Sequence, residues 1–280
     1  MRAMKKLQNY LIGISDTILT PVPSSLTFHL PKLYDRLVRA NYNYAIWKTR
    51  HSIQGTSFYT HHLLDLISYE NEKFGEDSIL ACILEESEKG DTLYDMGANC
   101  GIYTLCFLSE ISESEVVAFE PNPEVFERLC TNVELNGMLN RFEGINMALF
   151  DENCTKQLQV AENPYYFSGD YAFSTIMGSD FEEKKYIQEI DSYKCEARRL
   201  DSLFSEKGLS PPDRIKIDIQ GAGLRAIKGS IKTLREYRPT IYYEIHKDED
   251  GELHIEELEE LFEELDYNLE RRGPFMVMRP

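Results

Sequence analysis

The chain has 280 residues, of which 42% are hydrophobic and 11% aromatic. This length and composition are typical of a folded protein with a sizeable core and exclude a mostly disordered chain. The net charge is −18, from 48 acidic and 30 basic side chains, so binding of nucleic acid through an overall basic field is disfavoured.

The N-terminal part of the chain has the opposite charge to the rest. Residues 1–50 hold eight basic and two acidic side chains, so the remainder is more acidic than the whole chain. A basic arm of this kind can contact an anionic membrane surface or another polyanion. The simpler interpretation is a solvated helix face that lies against the acidic body.

The cysteines and the apolar runs of the sequence indicate the cellular compartment of the protein. Six cysteines are spread along the chain without a C-x-x-C pair, which argues against a structural zinc site and a compact disulfide framework. No run approaches the roughly 20 apolar residues of a membrane span, and the apolar run at residues 10–14 is too short for a signal peptide. We therefore expect a cytoplasmic protein with reduced thiols. The cysteines are Cys82, Cys100, Cys106, Cys130, Cys154 and Cys195.

The first quarter of the chain is predicted to be mainly helical. Apolar residues at helical spacing predict helices over residues 1–20 and 32–47, whereas residues 51–74 show no clear period. We therefore predict a mainly helical extension over residues 1–75 and a main domain over residues 76–280.

The main domain opens with a pattern typical of nucleotide binding. A helix is predicted over residues 77–88, then a short strand, a turn from Asp95 to Gly101, a second helix and a strand over residues 116–119 that ends in Glu120. In such a unit, glycine lets the backbone approach the ligand, and the acid after the second strand accepts hydrogen bonds from ribose hydroxyls.

The turn differs from the dinucleotide-binding pattern in one respect. Asp95 precedes the first glycine, and Gly97 and Gly101 are spaced G-x-x-x-G rather than G-x-G-x-x-G. A carboxylate at this place would repel a pyrophosphate, but it suits a ligand with an amine and no phosphate. S-adenosylmethionine is such a ligand, so the turn predicts methyl transfer.

Strands and helices continue to alternate towards the C-terminus. A helix is predicted over residues 123–135, a third strand over 145–150 and a long irregular loop over 151–195, which is usually functional or flexible. This alternation predicts an α/β fold with a doubly wound, mostly parallel sheet and an antiparallel hairpin at its C-terminal edge. The later elements are a strand over 214–219, a helix from 221, a strand over 240–245, an acidic helix over 253–265 and strands over 268–272 and 275–278.

Three side chains at the ends of the fourth and fifth strands are candidates for catalysis. Asp218 ends the fourth strand, and Glu244 and His246 end the fifth and point to one face by strand alternation. Methyl transfer to an alcohol needs positioning and a base, for which histidine is suited near neutral pH. Alternatively, the three residues gather a divalent cation that acidifies the alcohol, or His246 is only a polar residue before a solvent-exposed loop.

Six motifs follow one another between Gly90 and Ile245. They are Asp95-Met-Gly-Ala-Asn-Cys-Gly-Ile-Tyr-Thr, Phe119-Glu-Pro-Asn-Pro, Asn132-Val-Glu-Leu-Asn-Gly, Arg199-Leu-Asp-Ser-Leu, Lys216-Ile-Asp-Ile-Gln-Gly-Ala and Arg238-Pro-Thr-Ile-Tyr-Tyr-Glu-Ile. In this order and at this spacing they resemble the FkbM family of S-adenosylmethionine-dependent methyltransferases, and the resemblance covers more than half of the chain. It implies a Rossmann-like class I methyltransferase fold and small-molecule or glycan alcohols as acceptors.

The resemblance also implies roles for the residues of the turn. Asp95 would lie near the cofactor amine, and Gly97 and Gly101 would give the ligand access to the backbone. Asn99 would hydrogen-bond the same methionine part, and Glu120 would accept from both ribose hydroxyls. The alternatives for the two acids are a helix cap and a surface acid before proline.

The chain departs from the family pattern after the fourth strand. The family usually has Asp-x-Glu-Gly-x-Glu there, whereas this chain has Gln220 and Gly223 at the two glutamate positions. The departure points to altered chemistry, a different acceptor or impaired activity. Asp218, which is kept, could contact the cofactor amine, orient the acceptor or hold a metal.

The preferred function is O-methylation of a hydroxyl on a sugar, glycoconjugate or other small molecule, with S-adenosylmethionine as cofactor and no metal. One alternative is RNA methylation, because the motifs at Phe119 and Asn132 also resemble tRNA methyltransferases. The acidic body disfavours this alternative, since RNA binding needs a basic track. The other alternative is a non-catalytic domain that keeps the cofactor-binding fold.

Overall fold

In the computed structural model of the chain, two short strands come before the predicted start of the main domain and belong to the same compact unit, Trp47–Pro280. They are β1 (Thr49–Ile53) and β2 (Thr56–Thr60), which pair antiparallel in a segment whose sequence shows no clear period. The helices predicted within residues 1–47 lie outside the described part of the chain, so the helical extension stays a prediction. The structure describes residues 49–53, 56–60, 78–162, 174–176, 189–246 and 253–280.

The main domain alternates strands and helices, as predicted. The remaining strands are β3 (Thr92–Met96), β4 (Glu115–Phe119), β5 (Phe142–Ile145), β6 (Ala148–Leu149), β7 (Cys154–Glu162), β8 (Ser174–Ile176), β9 (Glu189–Arg198), β10 (Arg214–Ile217), β11 (Thr240–Glu244), β12 (Asn268–Arg272) and β13 (Phe275–Arg279). The helices of the described part are α1 (Ile79–Glu86), α2 (Ile102–Glu110), α3 (Pro123–Leu135), α4 (Leu200–Lys207), α5 (Gly223–Lys228), α6 (Ile231–Tyr237) and α7 (Ile255–Glu264). None of these helices is long and apolar enough to cross a membrane.

A seven-stranded sheet forms the centre of this domain. Its strand order is β12-β13-β11-β10-β3-β4-β5. The five strands from β11 to β5 are parallel, and β13 runs antiparallel to both of its neighbours. The predicted mostly parallel sheet with an antiparallel hairpin at its C-terminal edge is therefore confirmed.

Helices cover both faces of the sheet. On β3 and β4, Leu93 and Val116 pack towards α1, α2 and α3, whereas Tyr94 and Val117 pack towards α4 to α7. Adjacent residues of a strand point to opposite faces, so a strand between two helical layers is buried along its whole length. Every residue of β3 is buried accordingly. This arrangement confirms the doubly wound fold.

The prediction of a single strand over residues 145–150 is wrong. The main-sheet strand β5 ends at Ile145, and β6 is a separate two-residue strand of another sheet. Between them, the Asn146 side-chain amide donates to the main-chain oxygen of Glu120 at 2.8 Å, and the main-chain nitrogen of Met147 donates back to Ile145. These bonds turn the backbone away from the main sheet.

The prediction of an irregular loop over residues 151–195 is also wrong for its described part. Strands β7, β8 and β9 form a second sheet with β6, in the order β6-β9-β7-β8. One face carries the buried residues Leu158, Cys195 and Ala197, and most of the remaining positions are polar or charged. Because so few positions are apolar, the sequence shows no clear alternation of apolar and polar residues from which these strands could be predicted.

The helix predicted from Gly221 is divided into α5 and α6, and Asp201 on α4 explains why. Its Oδ1 accepts from the main-chain nitrogen and the hydroxyl of Thr233, both at 3.0 Å, and its Oδ2 accepts from the main-chain nitrogen of Lys232 at 3.3 Å. Asp201 therefore satisfies amide groups in the first turn of α6.

Candidate active site

The turn after β3 approaches the end of β10 very closely. Gly97, Asn99 and Gly101 have positive φ angles of 79°, 49° and 95°. A Cβ atom on residue 97 would overlap the main-chain carbonyl group of Asp218. Glycine is therefore required at this position for its backbone conformation and for the contact between the two strand ends.

Asp95, the acid before the turn, is completely buried. Its Oδ2 accepts a hydrogen bond from the hydroxyl of Thr104 at 2.8 Å, and its Oδ1 lies 3.3 Å from Nζ of Lys216. Asp95 therefore ties α2 and β10 to the turn, and Lys216 offsets its charge. Its contact with a cofactor amine stays a prediction.

Glu120 lies at the end of β4 and is 6% exposed. Its Oε2 accepts from the main-chain nitrogen of Asn99 at 3.0 Å, and its Oε1 accepts from that of Asn122 at 2.9 Å. Burial raises the pKa of Glu120 to about 7, although both amide bonds and the charge of Lys216 lower it. Each carboxylate oxygen can accept a further hydrogen bond, as a ribose with two hydroxyls requires.

The Asn99 side chain serves the turn itself. Its Oδ1 accepts from the main-chain nitrogen of Cys100 at 2.7 Å, and the Asn132 amide donates to the carbonyl of Cys100 at 2.9 Å. The Asn132 motif thus supports the turn from α3, a role that the sequence alone did not indicate. The predicted hydrogen bond from Asn99 to the cofactor stays a prediction.

Lys216 is a site residue that the sequence analysis missed. It lies in the middle of β10, is 1% exposed, and donates a hydrogen bond to the carbonyl of Gly97 at 2.8 Å. Its Nζ also lies 3.5 Å from Oδ2 of Asp218. The available signal was a lysine within an apolar strand of a parallel sheet, because a buried ammonium group needs charged or polar partners.

The structure brings the three predicted catalytic residues together at the carboxyl edge of the sheet. The Nε2 atom of His246 lies 2.8 Å from Oδ1 of Asp218 and 3.8 Å from Oε1 of Glu244. All three side chains are partly exposed, at 18% for His246, 23% for Asp218 and 33% for Glu244. A ligand can therefore reach the cluster.

The neighbouring charges shift the titration of these groups. Burial lowers the pKa of His246, but the hydrogen bond and charge of Asp218 and the charge of Glu244 outweigh it and hold the pKa above its usual value. Burial would raise the pKa of Asp218, but Lys216 and His246 hold it below its usual value. Burial and the charge of Asp218 together raise the pKa of Glu244.

Both departures from the family pattern have a structural counterpart. The Gln220 amide nitrogen lies 3.3 Å from Nε2 of His246, so an uncharged group stands where the family has a carboxylate. A Cβ atom on Gly223 would lie 2.8 Å from the ring and hydroxyl of Tyr243. The buried Tyr243 side chain therefore occupies the space that a second glutamate would need.

The same cluster is a candidate for a divalent cation. Within the part of the chain that the structure describes, Asp218, Glu244 and His246 are the one group of three whose ligand atoms lie within 4.8 Å of one another. The ammonium group of Lys216, in contact with Asp218, opposes a second cation there. We therefore favour proton transfer over metal binding at this cluster.

The second sheet borders this edge of the main sheet. Ile219 and Ala222, on either side of Gln220, pack against Phe150 and Leu158 of the second sheet and its entry segment. The second sheet thus lies against the segment that follows Asp218. It is the described element best placed to form a wall beside the cluster.

Several characterised proteins are similar to this chain over part of their length. The hexuronic acid methyltransferase AglP of Haloferax volcanii is 28% identical over 174 residues, which cover 61% of this chain and 63% of that protein. The 2-O-methyltransferase NoeI of Sinorhizobium fredii is 30% identical over 158 residues, which cover 54% of this chain and 62% of that protein. The similarity thus covers less than two thirds of either relative.

Among solved structures, an FkbM methyltransferase from Methylobacillus flagellatus KT matches with a TM-score of 0.47 and 14% identity, over 69% of this chain and 44% of that chain. A comparison of the sequence with a family model assigns the chain to a family directly. The model for the methyltransferase FkbM domain matches residues 95–273, from the glycine turn through the cluster of Asp218, Glu244 and His246 to the end of β12. The chain therefore belongs to the FkbM family of S-adenosylmethionine-dependent methyltransferases, with their Rossmann-like class I fold.

Proposed function

We propose that this methyltransferase transfers the methyl group to a hydroxyl of a sugar, glycoconjugate or other small molecule, with His246 as the general base. The observation that carries the proposal is the hydrogen bond of 2.8 Å between His246 and Asp218, next to the glycine turn. A main-chain hydrogen bond of 3.1 Å from Asp218 to Met96 holds this pair against the end of β3.

The residues around the turn fit S-adenosylmethionine. Gly97 lets the turn lie directly against the end of β10, and Glu120 keeps acceptor capacity on both oxygens for two ribose hydroxyls. When bound, the cofactor supplies a methyl group on a positively charged sulfur. The carboxylates of Asp218 and Glu244 are only partly offset by Lys216, and they suit the single positive charge of the sulfonium better than a divalent ion.

His246 is suited to remove the proton of the acceptor hydroxyl. With Asp218 ionised, the Nε2–H group of a neutral His246 donates to Oδ1, which orients the ring and leaves Nδ1 as the basic nitrogen. A proton taken up by the ring forms an imidazolium that Asp218 and Glu244 stabilise by their charges. An amine acceptor would not need such a base once it is deprotonated, so the pair favours an alcohol.

The names of the relatives support the acceptor class. They include a hexuronic acid methyltransferase and a 2-O-methyltransferase. The net charge of −18 disfavours RNA as the acceptor. We propose that the second sheet forms part of the acceptor pocket, because its residues cluster with Ile219 and Ala222, on either side of Gln220.

The test is methyl transfer from labelled S-adenosylmethionine to a panel of sugars and glycosides. We expect label on an oxygen atom of at least one of them, located by NMR of the product. A Glu120→Ala variant should lose both cofactor binding and transfer. Label found only on nitrogen or on no member of the panel, with the cofactor bound normally, would contradict the proposal.

A further inference from the structure

The ammonium group of Lys216 contacts both halves of the site. It donates to the carbonyl of Gly97 at 2.8 Å and lies 3.3 Å from Asp95, so it is attached to the cofactor turn. It also lies 3.5 Å from Asp218, and the ring of Tyr103 on α2 is 4.6 Å away. One side chain of β10 therefore joins β3, α2 and the catalytic pair.

Stability alone is a weak explanation for this arrangement. Transfer of an ammonium group from water into a protein interior costs free energy, which its partners often do no more than offset. An apolar residue at the same position of a parallel strand would avoid that cost. The partners of Lys216 are also specific, because two of them, Gly97 and Asp218, approach each other at the edge where the ligand binds.

We propose that Lys216 is a positioning residue that couples the cofactor turn to the Asp218–His246 pair. Its hydrogen bond fixes the direction of the Gly97 carbonyl, and thereby the shape of the turn that receives the methionine part of the cofactor. Its ion pair keeps Asp218 charged and directed towards His246. This inference rests on the proposed function, because it assigns Lys216 to the same site.

The charges around His246 determine the direction in which its pKa changes when Lys216 is removed, and this change can be measured. Among the described residues, the groups next to its ring are the anionic Asp218 and Glu244 and the neutral Gln220, and the cation Lys216 lies behind Asp218, in contact with its carboxylate. Lys216 partly cancels the two carboxylates. Its removal therefore raises the pKa of His246, whereas loss of a purely structural contact elsewhere in the fold does not.

The test compares Lys216→Met with the control Asp201→Asn. The control weakens a buried hydrogen-bonded link between α4 and α6 that does not touch the site. Binding of S-adenosylhomocysteine is measured by calorimetry, and the titration of His246 by NMR, at a temperature where both variants are folded. For Lys216→Met we expect about tenfold weaker binding or more, as for loss of a charged hydrogen bond, and a higher His246 pKa. The control should stay within about twofold of the wild type in binding.

If Lys216→Met alone does not fold, the double variant Asp95→Asn/Lys216→Met removes the uncompensated buried charge, and the same two measurements on it are compared with those on Asp95→Asn. Both changes are required: unchanged binding or an unchanged His246 titration in the folded variant overturns the inference. A wild-type protein that fails to bind S-adenosylhomocysteine would instead overturn the proposed function, so the two failures are distinguishable.

Discussion

Glu120 and Asp218 are carboxylates of one site, yet their surroundings shift their pKa values in opposite directions. Burial dominates at Glu120, whose amide partners do not offset it. At Asp218, Lys216 and His246 outweigh burial. The position of a carboxylate at a strand end was predictable from the sequence, but its pKa depends on neighbours far away in the chain, such as Lys216 for Glu120.

The pKa of Glu120 predicts a pH dependence of cofactor binding. Ribose hydroxyls donate to the ionised carboxylate, which is the minor form below a pKa of about 7. Affinity for S-adenosylhomocysteine should therefore fall as pH decreases from 8 to 5.5, by up to about tenfold per unit below the pKa. Calorimetry across this range measures the effect.

The control for this prediction is Glu120→Gln, which keeps the side-chain shape but has no titrating group. It should bind weakly at every pH in the range. The same pH dependence in wild type and variant would show that another group controls binding.

Gln220 is an uncharged neighbour of His246, so a Gln220→Glu variant adds a negative charge there and should shift the pH dependence of the reaction rate. A third carboxylate near Nε2 would favour the imidazolium and raise the pKa of His246 further. The rising limb of the rate against pH should shift to higher pH, while cofactor affinity changes by less than about threefold. An unshifted limb would contradict the assignment of His246 as the base.

At the scale of elements, the glycine turn and the end of β10 form a single unit. We expect Gly97→Ala to destabilise the protein by about 2–4 kcal/mol, because the new Cβ meets the backbone of Asp218 and φ is positive. Cofactor affinity should fall as well. Denaturant unfolding and calorimetry measure the two effects.

Gly90→Ala is the matched control. Gly90 also has a positive φ angle, of 88°, but an added Cβ has no atom within 4 Å. It should cost only about 1 kcal/mol and leave binding unchanged. Equal losses in both variants would show that the close approach at Gly97 is unimportant.

Some elements could be predicted from the sequence and others could not. The parallel strands lie between two helical layers and are buried on both faces, as every residue of β3 shows. They are therefore largely apolar runs, which are easy to recognise in the sequence. The second sheet buries one face around Leu158 and Ala197, and its polar residues conceal the period. The break before α6 depends on Asp201, a residue from another helix, which no local pattern reveals.

At the scale of the whole molecule, the family and the cofactor follow from six motifs in order, whereas the acceptor does not follow from any motif. The cofactor turn is local in sequence, but Asp218 and His246 meet only because β10 and β11 are neighbours in the sheet. The acidic body disfavours a nucleic acid as the acceptor. Membrane contact through the basic residues 1–50 and a cytoplasmic location stay predictions.

The role of His246 as general base is tested by the rate at which a His246→Ala variant methylates a hydroxyl acceptor, with S-adenosylhomocysteine affinity measured on the same sample. Loss of a general base predicts a fall in kcat of about 10²–10⁴-fold, with the affinity within about threefold of the wild type. A variant that methylates the hydroxyl at the wild-type rate would show that His246 does not take up the hydroxyl proton.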